Sequence, residues 1–249
     1  MSLEFTNVYA DAARAQAYAT LEYPGTYYLA FRDLPALLSR YQPESRALDF
    51  GCGTGRSTRL LKRLGFQTEG IDIAEAMIAL ARQRDPQGQY RLVPNDRPPE
   101  LPAATFDLVL AAFTFDNIPT APTKVAIFRA LLESLRPDGR IVAIVSTPEI
   151  YWHEWASFST RPFPENRQAR SGDRVRIVML DVPDQRPVED ILFSDEAYRE
   201  VFAAAGLRPL QMLRPLGDPS EPLRWVSETT IAPWSLYELA PLKPGPHAG

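Results

Sequence analysis

The chain alternates between two hydrophobic periods, and the alternation lays out its elements. Residues 9–20, YADAARAQAYAT, are Ala-rich with apolar positions at helical spacing, the pattern of a helix with one buried stripe. A Pro24-Gly25 turn separates them from YYLAFRDLPALLSRY, a second helical pattern interrupted near Pro35. Together these predict an N-terminal helical cap. From residue 45 onward the period switches repeatedly. ALDF reads as a strand, GRSTRLLKRLG as a helix closed by Gly65, QTEGIDI as a strand, AEAMIALARQRD as a helix stopped before Pro86, and YRLVPND as a strand. FDLVLAAF is nearly unbroken in apolar residues, as a strand covered on both faces would be. A helix over 122–135 and the similar run GRIVAIVS follow it. Strand and helix in turn predict an α/β fold with a doubly wound, parallel sheet and helices on both faces.

After residue 160 the pattern changes. RPFPENRQARSGD is polar and loop-like, then RVRIVML and PVEDILF read as two strands, a hairpin that either walls a pocket or packs on a second subunit. SDEAYREVFAAAGLRPLQMLRPL predicts a helix with Ser194 as N-cap and Gly206 at its end, then a strand. RWVSETTIAPWSLYEL adds a last strand, and the Pro-rich tail PLKPGPHAG reads as disordered.

Composition narrows the classes. At 249 residues, 45% hydrophobic and 23% charged, the chain suits one α/β domain with additions. Its net charge of −4, with both signs interleaved, offers no extended basic face for a phosphate backbone, which disfavours nucleic acid as a partner. Cys52 is the only cysteine, so no internal disulfide forms, and with His153 and His247 as the only histidines no metal is expected. Glu4 and Asp11 stand where a signal peptide would be basic and then apolar, and no run approaches the ~18 apolar residues of a membrane span. A cytoplasmic protein without a membrane partner is expected.

The segment ALDFGCGTGRST, residues 47–58, carries three glycines in five positions. It falls where the first strand turns into the first helix, and in such sheets ligands bind beyond the carboxyl ends of strands, near the point where strand order reverses. Gly51 and Gly53 let the backbone turn tightly and approach a ligand with no Cβ in the way. Asp72 ends the next strand, 23 residues past Asp49, about where an acid meets ribose hydroxyls in dinucleotide folds; helix capping alone would also explain it. A nucleoside is the expected ligand. The dinucleotide fingerprint G-x-G-x-x-G fails, because its third glycine would fall on Arg56.

The pattern present, Asp-x-Gly-x-Gly-x-Gly, resembles motif I of the class I S-adenosylmethionine-dependent methyltransferases. The resemblance continues in order over roughly residues 45–146: Asp72 in EGIDIAEAMI, Asp96 in LVPND, FDLVLAAFTF as fourth strand, and LLESLRPDGRIVAIV in place of the family's Leu-Lys-Pro-Gly-Gly turn and fifth strand. It implies a mostly parallel seven-stranded sheet, the Rossmann-like methyltransferase fold, with a small C-terminal β addition. The whole chain, 1–249, then forms one domain: a helical cap over 1–44, a cofactor-binding core over 45–146, acceptor-side and C-terminal sheet elements over 147–240, and a tail over 241–249. The implied cofactor is S-adenosyl-L-methionine, with S-adenosyl-L-homocysteine as product. Residue by residue, the resemblance implies that Asp49, Gly51 and Gly53 line the methionine end, with Cys52 as small filler between them. Asp72 accepts from both ribose hydroxyls, Ile73 packs on the adenine, and Asp96 with Arg97 holds its amino group. Met77, Ala112 and Tyr18 complete the cofactor site. The Pro-rich RPPELPA after Asp96 departs from the family's pattern.

A sulfonium methyl is already a good electrophile, so such an enzyme chiefly holds its acceptor in line and dry, and a base matters only where the acceptor must lose a proton. Three aromatic-rich places are candidates for the acceptor site: FTFDNIP with Phe113, Phe115, Asp116 and Asn117; YWHEWASFST with Tyr151, Trp152, His153, Glu154 and Trp155; and the cap with Tyr9, Tyr18, Tyr23, Tyr27 and Tyr28. Packing is the competing explanation for any one of these aromatics. His153 is a candidate general base, oriented by Glu154 or Asp116, or else a structural histidine; Asp116 is the second catalytic candidate. The expected reaction is methyl transfer to an oxygen or nitrogen of a small aromatic or heterocyclic metabolite, as in secondary metabolism, by a monomer or homodimer. An NAD-dependent oxidoreductase and a catalytically silent S-adenosylmethionine-binding regulator remain as alternatives.

Overall fold

The computed structural model describes residues 11–242. The cap comprises α1 (Ala12–Ala19), α2 (Gly25–Arg32) and the short α3 (Leu34–Leu37). Asp11 starts α1 by accepting the amides of Ala13 and Arg14 at 2.9 and 3.0 Å, satisfying two of the donors a helix start leaves over. The break expected near Pro35 falls at Asp33, between α2 and α3.

The core follows as β1 (Arg46–Phe50), α4 (Arg56–Arg63), β2 (Gln67–Asp72), α5 (Glu75–Arg84), β3 (Gln89–Leu92), β4 (Phe106–Ala112), α6 (Ala121–Ser134) and β5 (Leu135–Ser146). Three short strands come next, β6 (Phe158–Ser159), β7 (Arg174–Met179) and β8 (Val188–Ile191). They are followed by α7 (Asp195–Ala204), β9 (Leu207–Leu213) and β10 (Trp234–Pro241). The main sheet has seven strands in the order β3-β2-β1-β4-β5-β10-β9. Its pairs are parallel except those of β10, which runs antiparallel to both β5 and β9. Ser194 caps α7 through the Ala197 amide, as its position predicts.

The sheet separates two apolar layers. Leu108, Leu110, Val142 and Ile144 face the cap helices and α4, while Val109, Ala111, Ile141 and Ala143 face α6 and α7. Residues 108–111 are fully buried, which is why FDLVLAAF shows no alternation. Between β5 and α7, β6-β7-β8 form a separate antiparallel sheet. Its inward residues Val175, Ile177, Met179 and Val188 join the same layer as Tyr27 and Leu29 of α2. The hairpin thus packs onto the chain's own cap side. Among the described residues no helix is long and apolar enough to cross a membrane.

Candidate active site

Strand order reverses between β1 and β4, so the loops leaving their carboxyl ends diverge and open a crevice. A cavity of about 420 Å³ lies there, within the roughly 300–1,000 Å³ of small-ligand sites. Its floor is the glycine loop. Gly51 and Gly53 have φ of 71° and 53°, a region in which a side chain is strained. A Cβ on Gly51 would lie 2.1 Å from Thr114 Oγ1, whereas one on Gly53 would meet only the Tyr18 ring, at 3.9 Å. The first glycine therefore lets the loop pass under β4, and the second leaves the crevice open. The Gly51 and Cys52 amides both donate to the Ile71 carbonyl, at 2.8 and 3.0 Å, which pins the loop to β2.

Asp72 lines the crevice at the end of β2. Its Oδ2 accepts the Gly53 amide and its Oδ1 the Ala74 amide, both at 2.8 Å. The capping and ligand readings therefore coexist: each carboxylate oxygen takes two hydrogens, so one acceptor position on each remains for a pair of hydroxyls. Burial raises the Asp72 pKa, against the pull of those amides. Asp49 stands behind the loop, fully buried and outside the cavity lining. Its Oδ2 accepts from Ser57 Oγ at 2.7 Å and Thr58 Oγ1 at 2.6 Å, while Oδ1 has no partner. Burial lifts its pKa to about 6, opposed by the two hydroxyls.

Ile71, Ile73, Met77, Val93, Ile118 and Ile127 form apolar walls suited to a flat heterocycle, with Asn95, Asp96 and Arg97 on the rim. The Asp96 side chain is 79% exposed and only loosely paired with Arg97, at 4.0 Å. At the far end lie Ala112 and Phe113. Phe113 has φ 63°, unusual for a bulky residue. Its amide is held by the Ile144 carbonyl at 2.8 Å, and its ring packs against Trp234 at 4.7 Å and edge-on to Tyr27 at 5.8 Å. The residues present therefore suit an adenosyl ligand: bare loop, free carboxylate acceptors and apolar walls converge on one crevice.

A second, smaller cavity of about 50 Å³ adjoins the first, and Tyr18, Phe113 and Asn117 line both. Asp116, Ser146, Tyr151 and Asp190 give it a polar side. Asp116 accepts from the Ser146 amide, from Ser146 Oγ at 2.8 Å and from Tyr198 at 3.4 Å. Asp190 accepts from Asn117 Nδ2 and from the Tyr151 hydroxyl at 3.1 Å. Burial and the Asp190 charge raise Asp116 to about 7; burial raises Asp190 to about 6. Buried Lys124 donates to the Phe115 carbonyl, and burial lowers its pKa to about 7.

Of the expected residues, the crevice gathers Tyr18, Gly51, Gly53, Asp72, Ile73, Met77, Asp96, Arg97, Ala112, Phe113 and Asn117; Asp116 joins at the smaller cavity. Cys52, buried at 4% exposure, fills space beside Ile78 and Tyr90 rather than lining the crevice. Phe115 points into the core, stacked on Phe128 at 3.9 Å. Trp155 is buried, its indole donating to the Ile150 carbonyl at 2.8 Å. Trp152 donates to the Asn166 carbonyl at 3.1 Å and Tyr23 to the Arg56 carbonyl at 3.2 Å. His153 lies edge-on to Trp155 at 6.3 Å. None of these four lines either cavity. Tyr23 is held by Arg56; for Trp152, His153 and Trp155 the cause is Glu154, whose carboxylate accepts from Ser159 Oγ and from the Thr160 and Arg161 amides, each at 2.8 Å. Those bonds fold the aromatic loop back on itself and leave Glu154 engaged with its own turn rather than with His153. Asp116 is likewise committed elsewhere. Tyr9 lies outside the described residues. Two further expected tyrosines, Tyr27 and Tyr151, line the smaller cavity. The structure adds Asn95, Thr114, Ile118 and Ile127 to the crevice and Trp234 and Asp190 to the smaller cavity.

A family described as "Methyltransferase domain" matches residues 23–212. Demethylmenaquinone methyltransferase of Tropheryma whipplei is 36% identical over 98 residues, 38% of this chain and 39% of that protein. Ubiquinone biosynthesis O-methyltransferase of Nitrosococcus oceani is 30% identical over 43% of this chain and 46% of its own; the chain's match thus spans less than half the length of these two relatives. Trans-aconitate 2-methyltransferase of Variovorax paradoxus is 26% identical over 80% of each chain. Among solved structures, an S-adenosylmethionine-dependent methyltransferase from Mesorhizobium loti superposes with TM-score 0.59 at 18% identity, covering 86% of this chain and 99% of that one. One from Methanosarcina mazei does so with TM-score 0.61 at 13% identity, covering 84% and 98%. Family match, sheet order and glycine loop agree: the chain belongs to the methyltransferase-domain family, within the class I S-adenosylmethionine-dependent methyltransferases.

Proposed function

We propose that the protein binds S-adenosyl-L-methionine in the larger cavity and transfers its methyl group to an oxygen or nitrogen of a small metabolite whose reacting end enters the smaller one. The observation that carries this reading is the junction: Tyr18, Phe113 and Asn117 line both cavities, so a donor in one and an acceptor in the other would meet across a single layer of side chains. When bound, the cofactor supplies an activated methyl carbon. The chain's own part is to bind, orient and exclude water. Asp72 holds the ribose hydroxyls, Ile73 and Met77 pack on the adenine, and Gly51 and Gly53 bring main chain against the methionine end. Asp96 and Arg97 border the adenine from the rim.

The ring-lined smaller cavity favours an acceptor with an apolar or aromatic body. Relatives named for demethylmenaquinone, ubiquinone biosynthesis and trans-aconitate support a metabolite acceptor, of which the smaller cavity would take only the reacting end. Asp116 and Asp190 are nearer candidates for handling charge and protons than His153, since both line this cavity and His153 does not. Titration calorimetry with S-adenosylhomocysteine and, separately, NAD tests the reading. Micromolar binding of the first and none of the second is expected; the reverse would return the chain to the oxidoreductases.

A further inference from the structure

Asp116 and Asp190 line one cavity, and only neutral donors bond them: Ser146, Tyr198, Asn117 and Tyr151. Neither makes an ion-pair contact among the described residues. Buried Lys124 acts on both carboxylates only from a distance; its hydrogen bond goes to the Phe115 carbonyl and it faces the Phe193 ring at 4.4 Å. Two desolvated carboxylates without a contacting cation are costly unless one takes up a proton or something positive joins them. Tyr27, Phe113, Phe158 and Trp234 line the same cavity, with centroids 4.7–6.1 Å apart. Aromatic faces beside carboxylates are the chemistry that binds organic cations. The cavity's 50 Å³ admits a head group of a few heavy atoms, a water's share of liquid being roughly 30 Å³.

Resting on the methyl-transfer reading, we propose that the acceptor is an amine, held as its ammonium between Asp116 and Asp190 and giving its proton to Asp190. Asp116 has three donors on its two oxygens and is 4% exposed, so it is held in place and, once ionised, holds the ammonium against Asp190. Asp190 is less buried and has two donors, and one of them, Asn117, lines both cavities. The ammonium proton passes to the Asp190 carboxylate and frees the nitrogen lone pair. That pair forms the new N–C bond as the S–C bond breaks with its electrons left on sulfur. The positive charge thereby moves from sulfur to the methylated nitrogen, and the Asp190 proton returns to water.

The test uses the full chain loaded with S-adenosylhomocysteine and titrated calorimetrically at pH 7 with two matched pairs, 2-phenylethylamine against 2-phenylethanol and n-propylamine against n-propanol. Each amine should bind at least about tenfold tighter than its alcohol. Asp190→Asn should reduce that preference at least about threefold, and Asp116→Asn/Asp190→Asn should abolish it while S-adenosylhomocysteine affinity stays within about twofold; Tyr151→Phe, which leaves the charges in place, should keep it. Equal binding of amines and alcohols, binding of no amine, or a preference surviving in a folded Asp116→Asn/Asp190→Asn protein overturns the inference and leaves the methyl-transfer reading standing. Failure of S-adenosylhomocysteine itself to bind overturns both.

Discussion

Asp72 Oδ2 accepts the Gly53 amide at 2.8 Å, so the carboxylate assigned to the ribose also fixes the loop assigned to the methionine end. Asp72→Ala should therefore weaken S-adenosylhomocysteine binding at least tenfold, since hydrogen bonds to a charged acceptor contribute about 1.5–3 kcal/mol each. Calorimetry on the purified variant checks it. Wild-type affinity would remove Asp72 from the site.

Gly51 has no room for a methyl group: a Cβ would sit 2.1 Å from Thr114 Oγ1 and 2.5 Å from its Cγ2, at a φ of 71°. Gly51→Ala should cost about 2 kcal/mol or more, a fall of roughly 4–8 °C in Tm for a chain of this size. Thr114→Ala in the same background should recover part of the loss, because it removes the two nearest atoms. A double-mutant cycle by thermal unfolding measures the coupling; strict additivity would mean that the strain lies in the backbone alone.

Arg56, the residue that breaks the dinucleotide fingerprint, is a clamp for the cap. It is 5% exposed and lies 5.0–5.7 Å from the ring centroids of Tyr18, Tyr23, Tyr27 and Phe31. Its guanidinium donates to the Glu22 carbonyl at 2.7 Å and to the Tyr18 hydroxyl at 3.2 Å. A lysine keeps the charge but loses the planar stack and the second donor. Arg56→Lys should loosen α1 and α2 by about 1–2 kcal/mol, seen as roughly tenfold faster amide exchange there. S-adenosylhomocysteine should restore much of the protection, because Tyr18 lines the crevice and ligand binding favours the closed form.

Asp49 gives a stability signature with a definite sign. Its folded pKa is raised from 3.8 to about 6 by burial, so its contribution is full below pH 3.8 and is lost as pH rises through 6. The shift corresponds to about 3 kcal/mol. Between pH 3 and 7 the wild type should lose nearly that much unfolding free energy relative to Asp49→Asn, whichever of the two is more stable overall. Parallel pH dependences in urea titrations would contradict the assignment.

Much of this was legible in the residues, and what was missed has identifiable causes. The sheet and the glycine loop announce themselves because FDLVLAAF and DFGCGTG depend on local chain properties, coverage on two faces and absence of Cβ. The WHEW segment misleads because aromatic density reads alike in a core and in a ligand site; the bonds from Ser159, Thr160 and Arg161 to Glu154 that turn the loop away are tertiary. Two polar residues left a trace that went unread. Lys124 shares its helix phase with the buried Phe128 and Leu131, and Asp190 shares a strand face with Val188, two residues before it. A charge on an apolar phase was the signal; Asp190 lines the smaller cavity and Lys124 bonds the Phe115 carbonyl beside Asp116.

The last prediction separates Asp116 from His153. Asp116 is raised to about 7 by burial and by the Asp190 charge, and Asp190 to about 6 by burial, while Lys124, Tyr151 and Tyr198 face the same pair. A raised carboxyl pKa means that the proton-accepting form appears only on the alkaline side of the shift. With an acceptor that must lose a proton, kcat/KM should therefore climb between about pH 5.5 and 7.5 and then level. His153→Ala should leave this profile and its height within about twofold, since the ring lines neither cavity. Asp116→Asn should lower the plateau at least about tenfold, because it removes the charge that holds the acceptor against Asp190. A profile unchanged in Asp116→Asn but flattened in His153→Ala would hand the proton back to the histidine and require the 152–160 loop to swing into the cavity during turnover.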